Sequence, residues 1–257
     1  ITVNESYNTG KITVNLDNLK DLKAWSPESP SLYTVIVRQL NGNAEEMVFS
    51  TRYGFREVER RGNLIYVNGK REYFKGVNTQ DIHPLYGHAI DVPTMLKDVV
   101  LMKQANVNTV RTSHYPRQPK MYAMFDYYGL YCMDEADIEC HGYQKISNVP
   151  SWRNAYVDRI ERMVLRDRNH PSVVFWSLGN EAGGGCNFDA SYDYVKKLLP
   201  GRDAIVHYEG SEQGKNNSDL GTSMYRRIDV VKGLRDGLHG KPYFLCEYAH
   251  AMGQAVG

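Results

Sequence analysis

The chain has 257 residues, of which 42% are hydrophobic and 24% charged; this balance supports one large folded domain, or one domain with part of another, and excludes a disordered chain. Its 31 basic and 30 acidic residues leave a net charge of +1, which gives no electrostatic reason to expect nucleic acid or an anionic membrane as a partner. No apolar run approaches the roughly 18 residues of a membrane span, and the four cysteines form no CxxC pair, which predicts free thiols.

The first 60 residues have the patterning of strands and no clear helix. KITVNLDNL (11–19) alternates apolar and polar residues, and LYTVIVRQL (32–40) is rich in β-branched and aromatic residues. NGN (41–43) is a hairpin signal between that second strand and EEMVFSTRYGF (45–55). We therefore expect residues 1–60 to be the C-terminal part of a small antiparallel sandwich whose first strands are missing.

From residue 61 onward, predicted strands and helices alternate. A hairpin around Asn68-Gly69 leads into a strand that ends at Asn78. The next segment, 92–107, has apolar residues at helical spacing, with Asp91 as its N-cap and Pro93 in its first turn. Three more helices are predicted over 118–129, closed by Gly129, over 151–170, capped by Ser151, and over 188–200. The remaining strand candidates are 108–114, 130–139, 173–181, 204–210, 220–225 and 243–250.

This alternation predicts a parallel sheet covered by helices. Seven strand candidates, each ending in polar residues, predict an α/β fold of the (β/α)8 TIM barrel type over residues 61–257, lacking its last strand and helix. A doubly wound open sheet is the alternative, but no glycine-rich phosphate loop follows the first strand. Both ends of the chain look cut from a longer polypeptide. We expect the isolated chain to be inactive, because an unpaired seventh strand would misplace the residues it carries.

Two glutamates stand at the ends of strands that face each other across such a barrel. Glu181 ends VVFWSLGNE, the fourth strand, and Glu247 ends YFLCE, the seventh. Two carboxylates across a cleft suit glycoside hydrolysis, in which one protonates the leaving oxygen and the other attacks or activates water. Asn180 is placed to bind a sugar hydroxyl, and Tyr225 to donate to a carboxylate. A single carboxylate at one strand end is more often a solvated loop residue, and it is the pair across the mouth that favours catalysis.

Two segments, NHPSVVFWSLGNEAGGG and LCEYAHAMG, resemble the active-site signatures of glycoside hydrolase family 2, in its large bacterial β-galactosidase branch. AWSPESPSLY resembles the end of the family's immunoglobulin-like domain. LMKQANVNTVRTSHYP and YGLYCMDEADIECHG resemble segments of its catalytic barrel, in the family's order. The resemblance implies an immunoglobulin-like β-sandwich part over residues 1–60 and a catalytic TIM barrel over 61–257.

The resemblance also implies an activity and roles for individual residues. It implies a retaining exo-β-galactosidase that removes terminal non-reducing β-D-galactose from substrates such as lactose by double displacement. Glu181 would be the general acid/base, Glu247 the nucleophile, and Arg111 its brace. The residues implied to contact the galactose or its supporting shell are His114, Asn180, Met224, Tyr225 and His250. The implied metal is Mg²⁺, bound by Glu139, His141 and Glu181, with Na⁺ possible in the full-length parent.

Two departures and two alternatives qualify this prediction. Gln80 stands shortly after GVN, where the family often has a histidine, and Gln254 replaces a more familiar asparagine. The alternatives are another family 2 exo-β-glycosidase, of β-glucuronidase or β-mannosidase type, and a non-catalytic carbohydrate-binding barrel. We expect the full-length parent to be a homo-oligomer, cytoplasmic or periplasmic in a bacterium, with no nucleic-acid or membrane partner.

Overall fold

The computed structural model describes residues 13–16, 19–200, 204–210, 217–234, 238 and 240–250. In the N-terminal part, β1 (Tyr33–Asn41) and β2 (Ala44–Tyr53) form an antiparallel ribbon, so the hairpin predicted there is confirmed. The turn uses Gly42 at φ +59°, a conformation that glycine adopts without a steric penalty. The strand predicted over 11–19 is not found at 13–16, which lie outside any strand; 11–12 and 17–18 lie outside the described residues.

A small antiparallel sheet leads into the barrel. It consists of β3 (Val58–Arg61), β4 (Leu64–Val67) and β5 (Lys70–Arg71). The predicted turn between β4 and β5 is confirmed, with Asn68 at φ +50° and Gly69 at φ +75°. Both values suit the tight turn that matches the twist of two short strands. The Asn68 side chain also donates to the carbonyl oxygen of Trp25 at 3.0 Å, which ties this sheet to the preceding segment.

In the described part of the chain, seven strands in two parallel sheets form the barrel wall. Five of them make one sheet in the order β10-β9-β8-β7-β6. Their bounds are Gly76–Asn78 for β6, Thr109–Arg111 for β7, Tyr131–Glu135 for β8, Val173–Ser177 for β9 and Ile205–His207 for β10. The last two, β11 (Gly221–Met224) and β12 (Tyr243–Glu247), pair with each other in parallel. Parallel strands end at the same face, so the residues after them meet at one mouth.

Helices cover the outside of this wall. They are α1 (Val92–Gln104), α2 (Pro119–Tyr128), α3 (Arg153–Asp167), α4 (Cys186–Leu198) and α5 (Ile228–Gly233). The predicted cap of α1 is confirmed, since Asp91 accepts from the backbone N–H of Thr94 at 3.0 Å. The predicted Ser151 cap of α3 is wrong. Ser151 lies inside a 3₁₀ turn (Pro150–Trp152), and α3 begins after it with no side-chain cap. The short helix α5 was not predicted.

Side chains on β8 alternate between two hydrophobic cores. Tyr131 and Met133 point into the barrel, where they pack with Phe175 and the indole of Trp25. Cys132 points outward to the helices, as does Val110 on β7. This alternation places Glu135, the last residue of β8, on the inner side at the mouth. All four cysteines are free, as predicted.

A gap separates β12 from β6. Two side-chain hydrogen bonds span it: Asn78 donates to the carbonyl of Cys246 at 3.1 Å, and the Tyr248 hydroxyl donates to the carbonyl of Gly76 at 2.9 Å. A cavity of about 1030 Å³ lies between the two strand edges. No strand of the described residues lies in this gap, which corresponds to the position of the eighth strand in a (β/α)8 barrel.

Candidate active site

Glu247, the predicted nucleophile, ends β12 and is held at both of its carboxylate oxygens. Oε1 accepts from Nη1 of Arg111 at 3.0 Å, and Oε2 accepts a short hydrogen bond from the Tyr225 hydroxyl. That hydrogen bond, with burial and the Glu247 charge, raises the pKa of Tyr225, so the phenol remains a donor. Tyr225 itself has φ +53°, a strained conformation for a non-glycine residue that aims its ring at the mouth. Glu247 is thereby fixed in orientation while its carboxylate remains accessible.

Glu181, the predicted acid/base, lies just beyond β9 and is more exposed than Glu247. Its Oε2 is 2.9 Å from Nδ1 of His141. Its backbone N–H donates to Oε1 of Glu209, the residue that follows β10 by two positions. Burial raises the pKa of Glu209 to about 6, in part offset by that N–H and by Arg111. A second carboxylate therefore supports the backbone of the predicted acid/base.

Arg111, on β7, is the buried cation of the site. Its Nε and Nη2 donate to the two oxygens of Glu135 at 2.7 and 3.1 Å, and Nη2 also donates to Oδ1 of Asn180 at 2.9 Å. Burial alone would raise the pKa of Glu135. The Arg111 charge and the hydrogen bonds from His114 and Ser177 outweigh burial and hold that pKa below its usual value. The Arg111–Glu135 pair is therefore ionised on both sides.

The other predicted sugar-contacting residues lie at the same mouth. His114 is 2.7 Å from Oε1 of Glu135 and 3.9 Å from Oε1 of Glu247. The ring of His250 stacks on that of Tyr225 with centroids 5.3 Å apart. Met224 is paired with Glu247 in the β11–β12 ladder. The structure thus brings all of the predicted site residues together. Gln80 is exposed.

Glu139, His141 and Glu181 form a group that fits a divalent cation. One potential ligand atom from each lies within 4.8 Å of the others. Mg²⁺ binds oxygen-rich ligands at about 2.1 Å in an octahedron, so adjacent ligands are about 3 Å apart. The His141–Glu181 contact of 2.9 Å already has that spacing, and the exposure of Glu139 and His141 leaves room for waters.

Three residues of the site were not assigned roles from the sequence. Glu135 and Glu209 stand at strand ends, and this placement is the signal that could have selected them. Ser177 is the last residue of β9, and its hydroxyl donates a hydrogen bond of 2.6 Å to Oε2 of Glu135. Serine inside an apolar strand carries no comparable signal, because its role depends on which strand lies beside it.

The arrangement defines a class of chemistry. Two glutamates at the mouth of a parallel barrel, one clamped by a guanidinium and a phenol and the other more exposed beside an imidazole, match the nucleophile and acid/base of glycoside hydrolases. Sequence comparison agrees with this class. Residues 58–257 match the TIM barrel domain of glycosyl hydrolases family 2, and residues 2–56 match another domain of the same family. The chain belongs to glycosyl hydrolases family 2, with part of an immunoglobulin-like domain before the barrel.

Two relatives in sequence are β-galactosidases, from Pectobacterium atrosepticum and Yersinia pestis. Each is 43% identical over 250 residues, which cover 91% of this chain and 24% of the relative. The chain thus spans about a quarter of their length. Similar solved structures include a β-glucuronidase from Ruminococcus gnavus, with a TM-score of 0.77 at 22% identity, covering 91% of this chain and 46% of that one. A β-galacturonidase from Eisenbergiella tayi has a TM-score of 0.76 at 22% identity, covering 92% and 46%. At these identities the likeness is one of fold.

In the described part of the chain, no helix has the length and hydrophobicity needed to cross a membrane.

Proposed function

We propose that these residues form most of the catalytic centre of a retaining exo-β-galactosidase. The observation that carries the proposal is the two-sided clamp on Glu247, in which Arg111 and Tyr225 each hold one carboxylate oxygen. A nucleophile must present its lone pair to the anomeric carbon in a fixed direction, and such a clamp restricts the rotation of the carboxylate. A carboxylate that only activates water has less need of it.

The reaction then takes two steps. Glu247 attacks the anomeric carbon as the glycosidic bond breaks, and Glu181 donates its proton to the departing oxygen. The product of this step is a galactose ester of Glu247. Glu181, now ionised, takes a proton from water, which attacks the same carbon and releases Glu247. While the ester exists, the Glu247 oxygen that Tyr225 contacts is uncharged and accepts more weakly, so the hydrogen bond from Tyr225 favours the free carboxylate.

The preference for galactose is supported by sequence. Relatives 43% identical are β-galactosidases, and LCEYAHAMG around Glu247 resembles the signature of that branch. The structural neighbours named β-glucuronidase and β-galacturonidase are 21–23% identical and support the barrel alone. Lactose is a suitable natural substrate, with galactose in the pocket and glucose as the leaving group.

Mg²⁺ would be held by Glu139, His141 and Glu181, as their spacing allows. When bound, it would supply positive charge next to Glu181 and so favour the ionised carboxylate that the second step needs. The side chains of Glu139 and His141 would then fix the orientation of the Glu181 carboxylate, while Glu209 holds its backbone N–H.

The test is a panel of aryl β-glycosides given to the full-length protein that carries this chain. We expect turnover of the β-galactoside to exceed that of the β-glucuronide and β-mannoside. A 2-deoxy-2-fluoro-β-galactosyl fluoride should then trap the enzyme, with the label found by mass spectrometry on the peptide containing Glu247. Preference for another glycone would contradict the galactoside assignment. No turnover at all would favour a binding barrel, and a label on another residue would contradict the role of Glu247.

A further inference from the structure

Glu135 is fully buried, and donors surround both of its carboxylate oxygens. Oε1 accepts from Nη2 of Arg111 at 3.1 Å and from Nδ1 of His114 at 2.7 Å. Oε2 accepts from Nε of Arg111 at 2.7 Å and from the hydroxyl of Ser177 at 2.6 Å. Such a carboxylate has no lone pair left for a substrate. Its function must therefore be exerted through the groups that it binds.

Behind Ser177 a hydrogen-bond chain continues into the barrel. Ser177 has one hydroxyl proton, and the ionised Glu135 can only accept it. The Ser177 oxygen then accepts from Nδ1–H of His207 at 2.9 Å, while Nε2 of His207 faces the Thr222 hydroxyl at 3.3 Å. Burial, together with the Arg111 charge, lowers the pKa of His207 to about 3, so this imidazole is neutral and adds no charge. The chain fixes Glu135 without changing the charge balance of the site.

Arg111 makes more hydrogen bonds to Glu135 than to Glu247. Its guanidinium meets Glu135 along one edge with two hydrogen bonds, and Glu247 through Nη1 with a single bond. A guanidinium paired only with Glu247 would neutralise it and oppose transfer of its electron pair to the anomeric carbon. With Glu135 as a partner, Arg111 can direct Glu247 while leaving it a net negative charge.

We propose that Glu135 is a positioning residue that serves as the permanent counter-ion of Arg111, so that Arg111 orients Glu247 without neutralising it. The proposal rests on the proposed function, in which Glu247 is the nucleophile. It has a second consequence. When Glu247 becomes an ester and loses its charge, Arg111 still has a buried anion beside it, so the intermediate does not leave an unpaired cation in the core.

Several other groups contribute to the field around this pair. Facing it are His114 after β7, Asn180 and Glu181 after β9, His207 and Glu209 from β10 and its exit, Tyr225 after β11, and the thiol of Cys246 on β12, whose pKa burial raises. None of the neutral ones can replace the charge of Glu135. Glu209 interacts with Arg111 through space only, and its hydrogen bond goes to the backbone of Glu181.

The first test is Glu135→Gln in the full-length protein, assayed with the aryl glycoside that the wild type turns over best. Arg111 then has Glu247 as its only hydrogen-bonded carboxylate. We expect kcat to fall by about 10- to 100-fold. We also expect the acid limb of the pH profile, the range in which kcat/KM rises with pH, to move to lower pH by about one unit, because loss of the Glu135 charge leaves the Arg111 cation to favour the ionised form of Glu247. Glu135→Asp keeps the charge on a shorter side chain. Its acid limb should return toward the wild-type position even where its kcat stays low.

A double-mutant cycle that combines Glu135→Gln with Arg111→Gln keeps the proposal testable if Glu135→Gln alone does not fold. Arg111→Gln should move the acid limb to higher pH. The double variant Arg111→Gln, Glu135→Gln removes a neutral pair from the core, which buried sites tolerate better than removal of one charge. Its acid limb should lie below that of Arg111→Gln.

An acid limb that stays in place or rises in Glu135→Gln, or a double variant that matches Arg111→Gln, would overturn the counter-ion role while leaving the proposed function intact. A loss of kcat without any pH shift would mean that Glu135 is only structural. A wild-type protein that hydrolyses none of the glycosides would overturn the proposed function, and this inference with it.

Discussion

The carboxylate of Glu209 accepts a hydrogen bond from the backbone N–H of Glu181 at 2.5 Å, and Glu181 has φ +41°. A left-handed conformation at a non-glycine residue costs about 1–3 kcal/mol and persists only where its surroundings enforce it. Here the enforcing group comes from the exit of a neighbouring strand. The direction of the Glu181 side chain, and hence its reach toward a leaving oxygen, depends on Glu209.

Glu209→Ala should therefore impair acid catalysis more than binding. We expect a loss of about 10- to 100-fold in kcat with lactose, whose leaving group needs a proton, and a smaller loss with activated aryl galactosides. Glu209→Gln keeps an oxygen acceptor and is the matched control, with a smaller effect on both substrates. Steady-state kinetics with a series of leaving groups measures this. An equal loss across the series would place Glu209 outside the acid/base function.

The roles proposed for the two glutamates can be separated by their chemistry. Glu247→Gln should abolish formation of the glycosyl-enzyme. Glu181→Gln should still be glycosylated by substrates with good leaving groups, which need no proton, and azide should rescue its turnover. Pre-steady-state bursts and product analysis for β-galactosyl azide check these outcomes. If the Glu181 variant loses activated and unactivated substrates alike, the acid/base assignment is wrong.

Glu139, His141 and Glu181 should bind one Mg²⁺ per chain. Titration calorimetry of the metal-free protein with MgCl₂ should detect this site, and Glu139→Gln should weaken it by about 10-fold or more, because one anionic ligand is lost. EDTA should lower activity without changing the circular dichroism spectrum. Unchanged Mg²⁺ affinity in the Glu139 variant, or activity indifferent to EDTA, would remove the metal from this position.

A buried carboxyl on the outer face of β8 should make stability depend on pH. Burial, the nearby Asp167 charge and their mutual hydrogen bond raise the pKa of Asp134 well above its usual value, outweighing the Tyr122 hydroxyl that donates to it at 2.5 Å. The native state thus keeps the Asp134 proton to higher pH than the unfolded chain does. The associated stability is complete below the unfolded pKa and is lost as pH rises toward the folded one.

Asp134→Asn has no proton to lose, so its Tm relative to wild type should climb between pH 4 and pH 8. A gain of 1 kcal/mol corresponds to about 2–4 °C in a domain of this size. Asp158→Asn is the control, since a hydrogen bond from Arg162 lowers the pKa of this exposed carboxyl and its small effect has the opposite sign with pH. Thermal melts at several pH values measure both slopes. A flat difference for Asp134→Asn would show that this carboxyl ionises normally.

Two glycines with similar backbone angles should respond very differently to alanine. Gly129 closes α2 at φ +75°, and an added Cβ would lie 2.2 Å from the carbonyl oxygen of Pro27. Gly62 turns between β3 and β4 at φ +61° with nothing within 4 Å. Gly62→Ala should cost only the left-handed penalty of about 1–2 kcal/mol. Gly129→Ala adds a backbone clash and should cost more than about 3 kcal/mol in urea unfolding. Equal costs would contradict the close approach.

Sequence reasoning found the features that depend on local chemistry or on a general rule of the fold. The side chain of Asp91 and the left-handed backbone of Gly129 mark helix ends because each makes its hydrogen bond within the adjacent helical turn. Glu181 and Glu247 could be paired because parallel strands of a barrel end at one mouth.

Glu135 could not be identified as the counter-ion. It stands beside Asp134 near the end of the predicted strand 130–139, and its partners Arg111 and Ser177 lie 24 and 42 residues away in the sequence. The prediction that Ser151 caps α3 was wrong because Ser151 belongs to a 3₁₀ turn that precedes the helix.

The hydrogen bond from Asn78 to the carbonyl of Cys246 joins residues 168 positions apart. Contacts this distant in sequence form late, because the chain must lose the entropy of a very long loop before the contact can stabilise anything. Glu247 is the neighbour of Cys246, so its position is completed only when β12 comes within hydrogen-bonding distance of Asn78. During refolding of the full-length protein that carries this chain, the helical signal should therefore return before glycosidase activity. A protein caught between these two stages would have its helices in place and the Glu247 carboxylate not yet held by Arg111 and Tyr225.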